Sequence, residues 1–181
     1  MDDRELARAI AAGDRDAFRL LVERESGPVV RTCARILGDP DAAEDVAQEC
    51  FVTAYQSIGS WRAEGSLHGW LLRIAANRAL RIARGSARLL PLEGETGEPP
   101  EIPGGSEPLA DLVSAERDRQ VREAVASLPE PYQEAIVLRY FSELSISEIA
   151  SATGRPIGTV KTHIGRGLLR LRSVLEEARR A

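Results

Sequence analysis

The chain is poor in the side chains that enzymes most often use for covalent or metal chemistry. Among its 181 residues are two cysteines, two histidines and a single lysine, Lys161, and aromatic residues make up 4%. Cys33 and Cys50 have no metal-like spacing and no histidine nearby, so zinc is not expected and both read as small buried hydrophobes. No glycine-rich phosphate loop, activated nucleophile or metal cage is present, so no catalytic residue, cofactor or metal is expected. The acids between Asp39 and Glu49 fall on opposite sides and at the end of one helical segment without a histidine, a poor arrangement for a divalent-metal nuclease site. No apolar run is long enough to span a bilayer. The N-terminus, MDDRELARAI, lacks the basic-then-apolar order of a secretion signal. A cytosolic protein without membrane insertion is the expectation.

What is present is helical composition, rich in Ala, Leu, Arg and Glu. The net charge of -4 hides segregation. Residues 1–85 hold twelve arginines against thirteen acids, residues 86–126 four against nine, and residues 127–181 eight cations against six acids.

The N-terminal part divides at glycine and proline. Residues 3–12 read as a helix closed by Gly13, with Asp14 capping the next. Phe18, Leu21, Val22, Val29, Val30, Cys33, Ile36 and Leu37 are core candidates over 15–37, where Gly27-Pro28 predicts a break into two helices. Asp39 caps a further helix with Pro40 at its first position. At 100° per residue Ala43, Val46, Ala47, Cys50, Phe51, Ala54 and Ile58 share one arc. The opposite face carries Asp41, Asp45, Gln48 and Glu49 with Val52 and Tyr55. Acids interleaved with apolar side chains suit a docking surface, and a merely solvated face is the plain alternative.

Residues 59–69 read as a loop with exposed Trp61 and His68, followed by a helix from Trp70 to Arg84. Leu71, Leu72, Ala75, Ala76, Ala79, Ile82 and Ala83 share its core side. Trp70, Arg73, Asn77, Arg81 and Arg84 share the other, a set able to hold phosphates, read a base edge and stack on an unpaired base. The alternative is a solvated basic face anchored by Trp70. From Gly85 to about Ser114 the periodicity fails, and LPLEGETGEPPEIPGGSEP reads as a flexible acidic linker. A helix over 111–127 follows, with Leu112, Val121, Val125 and Leu128 as its stripe.

The C-terminal block reads as helix, helix, tight turn, helix. Ser145-x-x-Glu148 is a capping box opening a short helix that ends near Thr153-Gly154. Pro156 then opens the last helix, in which Ile157, Val160, Ile164, Leu168, Leu171 and Leu175 share one face. Gly158, Thr159, Thr162, Gly165 and Arg166 lie opposite, flanked by Lys161 and Arg170. Between Arg155 and Arg172 there are five cations and no acid. Small and basic residues on the second helix after a glycine turn match a helix-turn-helix reader of the major groove.

Three stretches in this order resemble the extracytoplasmic-function (ECF) group of bacterial sigma factors. They are GDPDAAEDVAQECFVTAYQSI, WLLRIAANRALRIAR and LPEPYQEAIVLRYFSELSISEIASATGRPIGTVKTHIGRGLLRLR. The resemblance implies an all-α chain of two small helical domains, a bundle over 1–85 and a helix-turn-helix domain over 115–181, joined by a linker over 86–114. Its implied partners are core RNA polymerase, promoter DNA and an anti-sigma factor. Asp45, Gln48 and Glu49, with Val52 on the same face, would bind the polymerase. Trp61 and Arg62 would hold an unstacked base, with Trp70, Arg73, Asn77 and Arg81 along the minus-ten strand. Thr159, Lys161, Thr162, His163, Gly165 and Arg166 would lie toward the minus-thirty-five groove.

The chain departs from the pattern at His163, where the family usually has arginine, and at Gly165, where a larger residue is common. Gly165 and Gly167 each cost roughly 1 kcal/mol of helix stability relative to alanine, and their smallness suits close approach to DNA. The last helix is followed by few residues, so no further C-terminal module is expected. Two rivals remain at this level: a helix-turn-helix regulator that binds duplex DNA unaided, and a helical adaptor whose basic faces are solvated.

Overall fold

The computed structural model describes residues 1–89 and 108–180, and within them it is all helical. Eight α-helices appear among the described residues: α1 (Asp3–Ala11), α2 (Arg15–Leu37), α3 (Pro40–Ser57), α4 (Leu67–Leu89), α5 (Pro108–Ser127), α6 (Tyr132–Ile136), α7 (Ile146–Thr153) and α8 (Ile157–Arg180). None is long and apolar enough to cross a membrane. Helices α1–α4 form one lobe and α5–α8 a second, and the two pack together over α4 and α7.

The caps form where the side chains dictate. Asp14 accepts from the backbone of Asp16 and Ala17 at 2.9 and 3.0 Å, and Asp39 does the same for Asp41 and Ala42 at 3.0 and 3.2 Å. Ser145 and Glu148 exchange the reciprocal bonds of a capping box, and Gly154 closes α7 in the left-handed conformation at φ 68°. The arc of α3 from Ala43 to Ile58 is buried as its periodicity requires, against α2 and α4. Cys33 and Cys50 are free thiols in that core, and hydrogen bonding between them and burial push the Cys50 thiol up.

Several expectations fail, each because a distant contact overrides a local one. Pro28 lies inside a continuous α2 instead of dividing it. An interior proline costs about 3 kcal/mol, and the buried stripe Leu21, Val29, Cys33 and Ile36 runs through that point and holds both halves in line. Helix α4 starts at Leu67, three residues before the expected Trp70. Ser66 Oγ accepts from the Gly69 N–H at 3.0 Å, and Asp3 of α1 accepts from the Leu67 N–H at 2.8 Å. His68 is therefore helical and half-buried, not in an exposed loop.

The described parts of the expected linker are helix: α4 continues to Leu89 and α5 begins at Pro108. The rest of that linker, and Leu112 as a stripe residue, lie outside what is described. In α5, Val125 is buried and Val121 half-buried. Pro156 immediately precedes α8. Ile157 and Leu168, expected in the core, are 50% and 40% exposed, because only the middle of α8 contacts its lobe, through Val160, Ile164 and Gly167.

Gly167 is small for the sake of the core and not for DNA. A Cβ there would come within 2.8 Å of Ile136 Cγ1, whereas one at Gly165 would meet nothing within 4 Å. Gly165→Ala should therefore raise the melting temperature, by up to about 1 kcal/mol of helix propensity. Gly167→Ala should lower it through overpacking, of order 1 kcal/mol or more. Calorimetry on the two variants checks the opposite signs.

An ionic network fixes the start of α4. Arg24 donates to Asp3 at 2.9 Å and to Glu25 at 2.8 Å, and His68 Nδ1 lies 2.6 Å from the buried Glu25. The hydrogen bond to Glu25 raises the His68 imidazole above its ordinary value, against its partial burial. Burial works to raise Glu25, but His68 and Arg24 outweigh it and hold the carboxyl down. A raised histidine stabilises the fold fully below its unfolded value, about 6.5, and loses that contribution as pH rises through the folded value. The lowered Glu25 keeps its own contribution throughout that range. The melting temperature of wild type over His68→Gln should thus be greatest near pH 6 and shrink toward pH 9.

Candidate nucleic-acid and protein interfaces

The polar face of α4 is not open to solvent. Trp70, Arg73, Asn77 and Arg84 are half-buried, and of the expected set only Arg81 is exposed. What covers them is the second lobe. Glu134 of α6, 6% exposed, accepts from Arg73 Nε at 2.8 Å, from Asn77 Nδ2 at 3.4 Å and from Arg155 Nη1 at 2.5 Å. Burial tends to raise the Glu134 carboxyl, yet the two guanidiniums outweigh it and keep it below the usual carboxylate range. Arg73 also donates to the Ala152 carbonyl at 3.3 Å. Arg84 donates to Gln133 and, at 3.3 Å, to Glu130.

Small residues permit this approach. Gly65, at φ 107°, lies so close to Ser151 that a Cβ would come within 2.6 Å of the serine Cβ. Gly69 faces Ala152 and the Glu148 carbonyl at ordinary contact distance. A second seam joins α2 to the turn before α7. Arg35 donates to the Phe141 carbonyl at 2.8 Å and to Glu143 at 2.9 Å, and Thr32 and Ser142 hydroxyls lie 3.3 Å apart.

Trp61 and Arg62 follow a single 3₁₀ turn, Ile58–Ser60, on a loop where Ala63 takes φ 58°. Trp61 is half-buried, not fully exposed, and stands between two clefts. One, about 470 Å³, lies between this loop and α1 and is lined by Arg4, Ala7, Arg8, Ile58 and Arg62. The other, about 280 Å³, lies between the loop, Trp70 and Arg73 on one side and Ser151–Gly154 on the other. Arg4 and Arg8 escape a reading of the sequence because nothing local places α1 beside residue 61. Glu134 and Arg155 escape it because their partners lie on another lobe. A glutamate at a core-facing position among apolar residues was the available sign.

The outer face of α3 is as its pattern requires. Asp41, Glu44, Asp45 and Gln48 are exposed with Val52 (57%) and Tyr55 (41%). Leu20 of α2 is also exposed, and Phe18 packs edge-on to Tyr55 at 4.9 Å. Glu49 is not free on this face, since Arg78 of α4 donates to it through Nε at 2.9 Å and through Nη2.

On α8, Lys161, Thr162, Gly165 and Arg166 are exposed on one side, and Thr159 is half-buried beside them. His163 points elsewhere. Its ring stands edge-on to Tyr132 at 5.7 Å with Nδ1 buried and unpartnered. Burial, then the charges of Arg155 and Arg166, push its imidazole down. The basic groove face thus consists of Lys161, Thr162, Gly165 and Arg166, with His163 packed behind it.

Residues 21–89 match the Sigma-70 region 2 family and residues 118–171 match Sigma-70, region 4. The chain is 35% identical over 177 residues to the ECF RNA polymerase sigma factor SigW of Bacillus subtilis (strain 168), which covers 94% of this chain and 95% of that protein. It is 35% identical over 173 residues to the RNA polymerase sigma-H factor of Pseudomonas aeruginosa, covering 91% and 89%. To the ECF RNA polymerase sigma-E factor of Escherichia coli (strain K12) it is 34% identical over 177 residues, covering 92% and 90%. Among solved structures, CnrH in complex with the cytosolic domain of CnrY has a similar fold, with a TM-score of 0.64 at 23% identity over 97% of each chain. RpoE from Bartonella quintana, in complex with the anti-sigma factor NepR, has a TM-score of 0.53 at 23% identity, covering 88% of this chain and 96% of that one. With two regions of one family matched in order and relatives of this identity along nearly its whole length, the chain belongs to the ECF group of sigma-70 factors, which direct bacterial RNA polymerase to particular promoters.

Proposed function

We propose a division of labour in which three surfaces of this sigma factor take three different partners. The acidic face of α3, with Asp45, Gln48, Glu49 and Val52, binds core RNA polymerase. Trp61 and Arg62, with Trp70, Arg73, Asn77 and Arg81 of α4, take the minus-ten strand once it is unpaired. Thr159, Lys161, Thr162, Gly165 and Arg166 of α8 enter the minus-thirty-five major groove, and His163 supports that helix from behind through Tyr132. The lobes correspond to a domain over 1–85 and one over 115–181, with the acidic segment 86–114 between them.

The observation that carries this reading is charge segregation on the exposed helices. Four acidic or amide side chains flank Val52 and Tyr55 on α3, whereas Lys161 and Arg166 stand on α8 with no acid beside them. Acids among apolar groups favour a basic protein surface, and basic groups on a groove-sized helix favour phosphate and guanine edges. Opening of the promoter would be offset by stacking on Trp61 and by charged hydrogen bonds to the strand. The factor itself makes and breaks no bond, works in the cytoplasm, and is held in reserve by an anti-sigma partner.

Purified core polymerase, challenged with and without the chain on a library of promoters, tests the whole reading: start sites must change when it is added. Asp45→Arg should abolish capture of core polymerase while duplex binding survives. Arg166→Ala should weaken upstream-element binding by about tenfold and reduce its salt slope by about one, with core binding intact. Loss of the same function in both variants would refute the division.

A further inference from the structure

The face of α4 assigned above to the opened strand is already occupied, by the chain itself. Glu134 supplies two carboxylate oxygens to Arg73, Asn77 and Arg155, and the Ala152 carbonyl takes a further Arg73 donor. Those are the donors that a DNA phosphate and a base edge would need. A carboxylate held by arginines is chemically the nearest thing in a protein to a bound phosphate. The same contact buries part of Trp70 and closes one of the two clefts at Trp61 with Ser151–Gly154. The groove face of α8, by contrast, stays exposed.

We infer that the second lobe is an internal competitor for the minus-ten strand: Glu134 sits as a phosphate mimic on Arg73 and Asn77, so the free factor is closed to single-stranded DNA but open to duplex. The inference rests on the assignment of α4 to the strand. Closure is reversible on energetic grounds, because a buried ion pair repays little more than the desolvation of its charges. Anything that holds the lobes apart, core polymerase above all, would release both arginines at once. Arg155 then turns from a clamp on Glu134 into a cation free beside α8.

The test uses the full chain carrying Gly69→Cys and Ala152→Cys. A Cβ on residue 69 lies 3.7 Å from the Cβ of Ala152, with no closer obstacle than the Ser66 hydroxyl at 3.4 Å, and this spacing is one that a disulfide bridges. Cys33 and Cys50 are fully buried and do not compete. Oxidised glutathione is added under native conditions. The probes are a short fluorescent single strand of mixed sequence and the matching duplex.

The bridge should form readily. The bridged chain should lose on the order of tenfold in single-strand affinity while keeping its duplex affinity, and reduction should restore the loss. Glu134→Gln in the same background should bridge more slowly and, when reduced, bind the single strand several-fold more tightly than its parent. Rising salt should slow bridging in the unaltered Glu134 chain as well, a readout that survives if the glutamine variant folds poorly. Absence of bridging, or equal bridging with Glu134→Gln and at all salt concentrations, overturns the ionic closure and leaves the reading of α4 untouched. Bridging without loss of single-strand binding shows that α4 is not the strand reader, and the masking falls with it.

Discussion

A carboxylate taken out of water needs cations brought with it, and Glu134 has them from both directions. Arg155 comes from its own lobe and Arg73 from the other, so one buried acid sets how the two halves of the molecule meet. Removing either partner would leave an uncompensated buried charge, which is far more costly than the intact pair is favourable. The consequence is an interface that is specific in geometry but weak in depth. Around it the contacts are polar or small: a carbonyl, an amide, two glycines, and a serine facing a threonine. Apolar burial continues across the seam through Leu80, Val125 and Leu128 but does not dominate it.

The same logic, with opposite emphasis, governs the N-terminal lobe. Asp3, Arg24, Glu25 and His68 join three helices through alternating charge, and Asp3 also caps α4 from sixty-four residues away. This network fixes where α4 begins and so which of its side chains face the second lobe. The Trp61 loop is held from behind by the small core of Leu6, Ile10, Ile58 and Leu67. A sigma factor needs that loop presented at a constant angle, and a packed α1 provides it without occupying the cleft.

What the sequence makes legible follows the range of the interaction responsible. The α3 surface, its Asp-Pro cap and its buried arc depend on neighbours within one or two turns, and all were readable. So was the capping box at Ser145 with its glycine stop. The uninterrupted course of α2 through Pro28 was not, because the burial that overrides the proline comes from α3 and α4. Trp70, Arg73 and Asn77 could be recognised as a polar face, but Glu134 lies sixty-one residues from Arg73 and gives no periodic sign of its target. His163 and Gly167 were misplaced for a related reason. Which side of α8 meets Tyr132 and Ile136 is set by α6, a helix of five residues whose pattern is too short to orient anything.

Every cation in this molecule but one is a guanidinium, and the exception, Lys161, stands exposed on the groove face of α8. Arginine keeps its charge at any pH a cell reaches and resists acylation, while a primary amine does not. Amine-directed chemistry, whether a cellular acyl donor or a laboratory dye, therefore finds one side chain to react with. Electroneutralisation by that route would silence a single contact with the double helix and leave the guanidinium framework between the lobes unaltered.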